Sequence, residues 1–78
     1  MAAVQVNAKL YSTRFCHLCE EAEAILHSAR ITAIKIDIAA DERLFGQYSL
    51  RIPVLKRVDN GAELDWPFDA AAVSRFLR

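Results

Sequence analysis

The chain has 78 residues, 54% of them hydrophobic, and its ten basic and ten acidic residues give a formal net charge of zero. This length predicts a single domain over residues 1–78, and the hydrophobic content supports one core and argues against a disordered chain. A neutral chain without a basic tract, a long apolar segment or a signal-peptide pattern is expected to bind neither nucleic acid nor a membrane. We therefore expect a cytoplasmic protein, and a monomer.

The first half of the chain predicts a strand, a helix and a second strand. Residues 1–7 show no pattern and are expected to fray, whereas Ala8 to Ser12 predicts a short strand. A helix is predicted from Glu20 to Arg30, with an apolar stripe formed by Leu18, Ala22, Ile25, Leu26 and Ala29. Strict alternation from Thr32 to Ile38 predicts a strand near a sheet edge that buries Ile34, Ile36 and Ile38. Such a β-α-β unit has parallel strands.

The second half predicts a short helix, a hairpin and a last helix. Asp41 is a plausible N-cap for a helix that contains Leu44, Phe45 and Tyr48, which Gly46 is expected to weaken or bend. Pro53 opens a strand that runs to Val58.

A turn signal, Asp59-Asn60-Gly61, separates this strand from a second arm over residues 62–66. Asp69 can cap a final helix, in which Phe68 and Phe76 are expected to be core residues. The predicted order is β-α-β-α-β-β-α, an α/β arrangement with a four-stranded mixed sheet and three helices.

The two cysteines of the chain, Cys16 and Cys19, lie between the first strand and the first helix. Cysteines at this spacing in a first helical turn can close a small disulfide ring. Backbone N–H groups and the helix dipole favour negative charge at this position, and the thiolate is the nucleophile in disulfide exchange. A lone CxxC motif in a cytosolic chain is more often catalytic than structural.

We interpret Cys16 as the nucleophile, because it comes first and should be more exposed, and Cys19 as the resolving thiol. Glu20, Glu21 and Glu23 should partly oppose thiolate formation, which the helix N-terminus and Arg14 favour. His17 could transfer a proton, tune the thiolate or be a bystander.

The element order, the Cys16–Cys19 motif after Leu10-Tyr11-Ser12, and Ile52-Pro53 before Val54-Leu55 resemble the glutaredoxin branch of the thioredoxin-like fold. The similarity runs from about Ala8 to Leu77, and is greatest to compact glutaredoxin-like proteins of bacteria. It implies a thiol–disulfide oxidoreductase without a tightly bound cofactor, acting on a protein disulfide or a glutathione mixed disulfide, with glutathione as a possible co-substrate.

The resemblance also implies the contact residues for the substrate. The Ile52–Pro53 bond should be cis and lie against the cysteines, with the Ile52 backbone free to pair with an extended thiol substrate. Arg14 and Arg51 could supply positive charge near the site. The residues expected to contact substrate are Arg14, Phe15, His17, Arg51, Ile52 and Pro53.

The chain departs from the family pattern at two places. His17-Leu18 replaces a common Pro-Tyr pair, and residues 63–69 replace the Gly-Gly turn that receives a glutathione carboxylate. Because that stretch is bulky and carries acids, glutathione binding is expected to be weak.

Two other functions are compatible with the motif. A protein-binding module could carry an idle dithiol, with Trp66 either as a partner anchor or as a cover for the last helix. A zinc site could use Cys16, Cys19, Glu23 and His27 on one helical face, although a second pair of good ligands is not evident. Alternatively, two subunits could each donate a thiolate to an iron–sulfur cluster.

Overall fold

The computed structural model describes residues 7–78. Its helices and strands follow the predicted order. They are β1 (Ala8–Ser12), α1 (His17–Ser28), β2 (Ile34–Asp37), a 3₁₀ turn (Ile38–Ala40), α2 (Glu42–Tyr48), β3 (Val54–Arg57), β4 (Glu63–Asp65) and α3 (Ala70–Phe76). The predicted fraying falls outside this range except at Asn7, whose carbonyl accepts a hydrogen bond of 2.9 Å from the Val58 N–H.

The four strands form one mixed sheet in the order β2-β1-β3-β4. β1 pairs with β2 in parallel and with β3 in antiparallel orientation, and β3 pairs with β4 in antiparallel orientation. The predicted β-α-β unit followed by a hairpin is therefore confirmed, as is the edge position of β2.

Helices cover both faces of the sheet. One face carries α1 and α3, and its core consists of Ala8, Leu10, Ala22, Leu26, Leu55, Phe68, Val73 and Leu77. The other face carries α2 and the 3₁₀ turn, and its smaller core consists of Tyr11, Ile38, Tyr48 and Val54. Alternate residues of β1 contribute to the two cores, as the period of a strand requires.

Helix α1 begins three residues before the predicted start, so that Cys16 is its N-cap. Its buried side chains are Cys19, Ala22 and Leu26. Leu18, predicted on the apolar stripe, is instead 44% exposed, because it is rotated by one residue from the face that Cys19 occupies.

Strand β2 buries less than its alternation predicts. Ile34 is 59% exposed and Ile36 is half-buried, whereas Ile38 is buried but belongs to the 3₁₀ turn. The prediction of a fully buried isoleucine face was wrong because α2 has only seven residues and packs at the far end of β2, where the turn lies.

Helix α2 runs through Gly46, where the sequence predicted either a weaker helix or a bend. The Asp41 carboxylate caps this helix by accepting the N–H of Arg43 at 2.8 Å. In the β3–β4 connection, Gly61 has a φ of 74°, which suits a residue without a side chain. No helix within residues 7–78 combines the length and the apolar sequence needed to cross a bilayer.

Candidate redox site

The strand register brings several chain segments together at one end of the sheet. Ser12 at the end of β1 pairs with Asp37 at the end of β2. Tyr11 pairs with Val54, the first residue of β3, which in turn pairs with Asp65 at the end of β4. The cysteine motif after β1 and the Ile52–Pro53 segment before β3 therefore share this end of the sheet.

The cysteines form a disulfide across a Cα–Cα distance of 5.2 Å, which is ordinary for a disulfide. The Cys16 sulfur accepts a hydrogen bond of 3.2 Å from the Cys19 backbone N–H, and so caps the start of α1. Cys16 is half-buried, whereas Cys19 is only 2% exposed. Cys16 is thus the more exposed of the two residues, as the sequence predicted.

Phe15, directly before Cys16, is completely exposed and has a φ of 56°. For a residue other than glycine this left-handed conformation costs about 1–2 kcal/mol. Nothing in the interior compensates for it, because the ring lies outside both cores. Phe15 is therefore held outward at the disulfide, where a substrate could contact it.

His17 is exposed, and its two ring nitrogens lie 3.8 Å from carboxylate oxygens of Glu20 and Glu21. If the ring is protonated, its charge is shared with these acids, which limits its support for a neighbouring thiolate. His17 therefore lies at the surface beside the cysteine motif, next to two acids.

Arg14 is exposed and borders a shallow depression with Phe15 and Asp37. The Asp37 carboxylate is already engaged, because it accepts the Thr13 hydroxyl at 3.2 Å and the Ala39 N–H at 2.9 Å. The structure thus places Arg14 beside the cysteine motif, as expected, without directing it at either sulfur.

The Ile52–Pro53 peptide bond is cis, and Pro53 is buried. The Ile52 N–H donates a hydrogen bond of 3.0 Å to the Tyr48 carbonyl. We expected the Ile52 backbone to be free for pairing with a substrate, but its N–H is occupied by the end of α2. A substrate strand cannot use that donor unless this internal bond breaks.

Arg51 does not offer the free positive charge that was expected of it. One guanidinium nitrogen lies 2.8 Å from a Glu63 carboxylate oxygen and 2.7 Å from Asp65, and both contacts are hydrogen-bonded ion pairs. The hydrogen bonds to Glu63 and Asp65 raise the pKa of the Arg51 guanidinium. Arg51 is therefore neutralised by β4 rather than aimed at an anionic ligand.

Tyr48 completes this group of polar side chains. Its ring stacks on Tyr11 with centroids 4.3 Å apart, and its hydroxyl donates a short hydrogen bond to Glu63. Burial, followed by this hydrogen bond, raises the pKa of the Tyr48 phenol. The same hydrogen bond, followed by the Arg51 guanidinium, lowers the pKa of the Glu63 carboxyl, although burial opposes the shift.

We call Tyr48, Arg51, Glu63 and Asp65 the polar clamp, because they join the end of α2 to β4 on either side of the Ile52–Pro53 segment. The sequence analysis did not find this group. Its members are spread over residues 48–65, and only the β3–β4 register places Glu63 and Asp65 on the face that carries α2. The one available signal was the alternation of acids in β4.

Trp66 and Glu23, considered above as a partner anchor and as a metal ligand, each contact a side chain within the fold. Trp66 packs against Phe68 in an edge-to-face contact, with centroids 5.1 Å apart, and joins the core beneath α3. Glu23 lies 3.2 Å from Lys35 in an ion pair. Within residues 7–78, no cluster of three or more His, Cys, Asp or Glu side chains has the arrangement of a metal site.

Comparison with known proteins agrees with the fold and the motif. Residues 7–78 match the family described as Glutaredoxin-like domain (DUF836). The X-ray structure of protein XcR50 from X. campestris superposes with a TM-score of 0.82 at 40% identity, covering 88% of this chain and 92% of that one.

A second protein gives a similar superposition. The solution structure of protein Ne2328 from Nitrosomonas europaea has a TM-score of 0.82 at 28% identity, covering 100% of this chain and 98% of that one. A search of curated proteins finds no match. The match over residues 7–78, together with the thioredoxin-like sheet and the Cys16–Cys19 pair, shows that this chain belongs to the glutaredoxin-like domain family.

Proposed function

We propose that the protein is a thiol–disulfide oxidoreductase that uses Cys16 as nucleophile and Cys19 as resolving thiol. The observation that carries this proposal is the unequal exposure of the two cysteine residues at the start of α1. Cys16 is half-buried and accepts the Cys19 N–H, whereas Cys19 is almost inaccessible. A thiolate at the Cys16 position would keep that hydrogen bond and face the positive end of a twelve-residue helix.

The reaction transfers two electrons from the reduced protein to a substrate disulfide. The Cys16 thiolate attacks one substrate sulfur, forms a mixed disulfide and releases the first substrate thiolate, which takes up a proton. Cys19 then loses its proton and attacks the Cys16 sulfur, which releases the second substrate thiol and closes the Cys16–Cys19 disulfide. A thiol reductant must return the protein to its dithiol form.

The test uses the reduced protein with 2-hydroxyethyl disulfide, a small neutral substrate, and counts the thiols released per protein. The unsubstituted chain should release two thiols. Cys19→Ser should release one and retain a mixed disulfide on Cys16 that mass spectrometry detects, and Cys16→Ser should release none.

The control is Val58→Ser, which changes an exposed side chain beyond the opposite end of β3 and should match the unsubstituted chain. Release of one thiol by Cys16→Ser, with a mixed disulfide on Cys19 that mass spectrometry detects, would contradict the assignment of the nucleophile. No release by the unsubstituted protein would contradict the enzymatic proposal and favour a binding module with an idle dithiol.

A further inference from the structure

Two groups of this fold could bind the carboxylates of a small anionic thiol, the Arg51 guanidinium and the N-terminus of α3. Both are already bound by carboxylates of the chain itself. Arg51 is paired with Glu63 and Asp65. The N-terminus of α3 is capped by Asp69, whose carboxylate accepts the Ala72 N–H at 2.8 Å. An incoming carboxylate would have to displace one of these internal partners.

Recognition of a ligand through main-chain hydrogen bonds at Ile52 is also restricted. The Ile52 N–H is bonded to the Tyr48 carbonyl, so an extended ligand at this edge lacks one of the main-chain partners that strand addition uses. Selective binding therefore has to depend on side chains.

The side chains that are available for this purpose are apolar. Phe15 and Leu50 are 101% and 99% exposed, the two highest values among the large hydrophobic residues of the described chain, and Leu18 lies between the cysteines. Leu50 lies three residues before Pro53, in the segment that leads to the disulfide end of β3. We call Phe15, Leu18 and Leu50 the apolar rim.

The conformation of Phe15 supports an outward function for this rim. A left-handed φ is unfavourable for an aromatic residue, and such residues concentrate at sites where function requires the conformation. The ring gains no burial in return, so the contact that would justify its placement has to come from another molecule.

Charged side chains of both signs border the rim: exposed Arg14 directly precedes Phe15, whereas the α1 side is acidic. Glu20 and Glu21 lie in the first turns of α1, and Asp65 retains an exposed carboxylate at the end of β4. Arg51 balances only one of the two carboxylates that it binds, Glu63 and Asp65, so this group keeps a net negative charge. The α1 side of this surface therefore complements a basic ligand and repels an acidic one.

Resting on the proposed function, we propose that the substrate is a polypeptide disulfide whose cysteine is flanked by apolar residues and a basic residue. The flanking apolar side chains pack on Phe15 and Leu18, the basic residue faces Glu20 and Glu21, and Cys16 attacks the substrate sulfur. Glutathione disulfide, which is anionic and lacks large apolar groups, is a poor substrate.

The test compares rates of exchange with the reduced protein for glutathione disulfide and for symmetrical disulfides of three five-residue peptides. The first peptide has leucine on both sides of its cysteine and one lysine. The second replaces the leucines with serine, and the third replaces the lysine with glutamate. The rate for each disulfide is divided by the rate at which the small thiol dithiothreitol reduces the same disulfide. This ratio corrects for the intrinsic reactivity of the disulfide.

We expect the leucine–lysine peptide to react about tenfold faster than the serine–lysine peptide and than glutathione disulfide, since tenfold corresponds to about 1.4 kcal/mol. The leucine–glutamate peptide should react severalfold more slowly, and 1 M salt should reduce that difference. Phe15→Ser and Leu18→Ser should each lower the leucine-to-serine rate ratio severalfold. Val58→Ser, the control, should keep the original ratio.

Three results would overturn the inference while leaving the proposed function intact: glutathione disulfide reacting as fast as the leucine–lysine peptide, a leucine preference unchanged in Phe15→Ser, or equal rates for the lysine and glutamate peptides. In each of them 2-hydroxyethyl disulfide would still be reduced. Failure to reduce 2-hydroxyethyl disulfide would instead reject the proposed function, and this inference with it.

Discussion

Replacing Tyr48 with phenylalanine should test the polar clamp, because the change removes one hydroxyl and keeps the ring. The hydroxyl donates to the Glu63 carboxylate, and a hydrogen bond to a charged group contributes about 1.5–3 kcal/mol. Glu63 retains its ion pair with Arg51 and is partly exposed, so we expect the lower end of this range. The free energy of unfolding should fall by about 1.5 kcal/mol at pH 7.

The pH dependence of this loss follows from Glu63. Its pKa is lowered in the folded protein, first by the Tyr48 hydroxyl, so its carboxylate stabilises the fold above the unfolded pKa of about 4.3. That contribution is lost as the pH falls through the lower, folded value. In Tyr48→Phe the pKa of Glu63 should move back towards its usual value, and the stability difference between the two proteins should shrink at acid pH.

Urea unfolding of the oxidised protein at a series of pH values measures both effects. Tyr11→Phe is the matched control, since it makes the same change on the stacked ring, whose hydroxyl forms no hydrogen bond within residues 7–78. A loss in Tyr48→Phe below about 0.5 kcal/mol at pH 7, no larger than that of a typical surface substitution, would refute the reasoning. So would a loss that is equal at about pH 3 and pH 7.

Four further substitutions test the packing. Ser12→Ala should raise the free energy of unfolding by about 1 kcal/mol in urea, because the Ser12 hydroxyl is buried without a hydrogen-bond partner in the described structure; a loss of stability would contradict this. Gly46→Ala should stabilise the protein by about 0.5–1 kcal/mol, since a Cβ at this helical position meets nothing within 4 Å, and an unchanged melting temperature would oppose it. Ile38→Ala should lower the free energy of unfolding by about 2–5 kcal/mol, and Ile34→Ala should lower it by under about 1 kcal/mol. Equal losses would contradict the exposed position of Ile34.

Local sequence signals were sufficient for much of the fold. The bounds of β1, the Asp41 and Asp69 caps and the Gly61 turn depend on residues close together in the chain, and each agrees with the structure. The element order restricted the topology further, because a β-α-β unit has parallel strands with a fixed hand.

The features that the sequence missed depend on packing between distant segments. Alternation predicted that Ile34 is buried, but the length and position of α2 decide which part of β2 is covered. Charge alone suggested that Arg51 faces a ligand, whereas the β3–β4 register provides Glu63 and Asp65 as its partners. Neither outcome can be derived from a single strand or helix.

The cysteines likewise combine a feature that the local sequence predicts with one that depends on packing. Their spacing predicted a disulfide ring at the start of a helix, and their order at the helix N-terminus predicted unequal exposure and unequal roles. The depth of each sulfur depends on how α1 packs on the sheet, which makes Cys19 a neighbour of the buried Ala22 and Leu26 stripe and leaves Cys16 at the surface.

A redox titration of Cys16 and Cys19 in glutathione buffers, with mass spectrometry of each sample, tests the central claim most directly. The proposed function predicts one two-electron transition between dithiol and disulfide, with a midpoint in the range of about −270 to −200 mV that thioredoxins and glutaredoxins span. It also predicts no lasting adduct between Cys16 and glutathione, because Cys19 resolves it. A cysteine pair that stays reduced through the whole range, or that accumulates the Cys16–glutathione adduct instead of the internal disulfide, would contradict the claim.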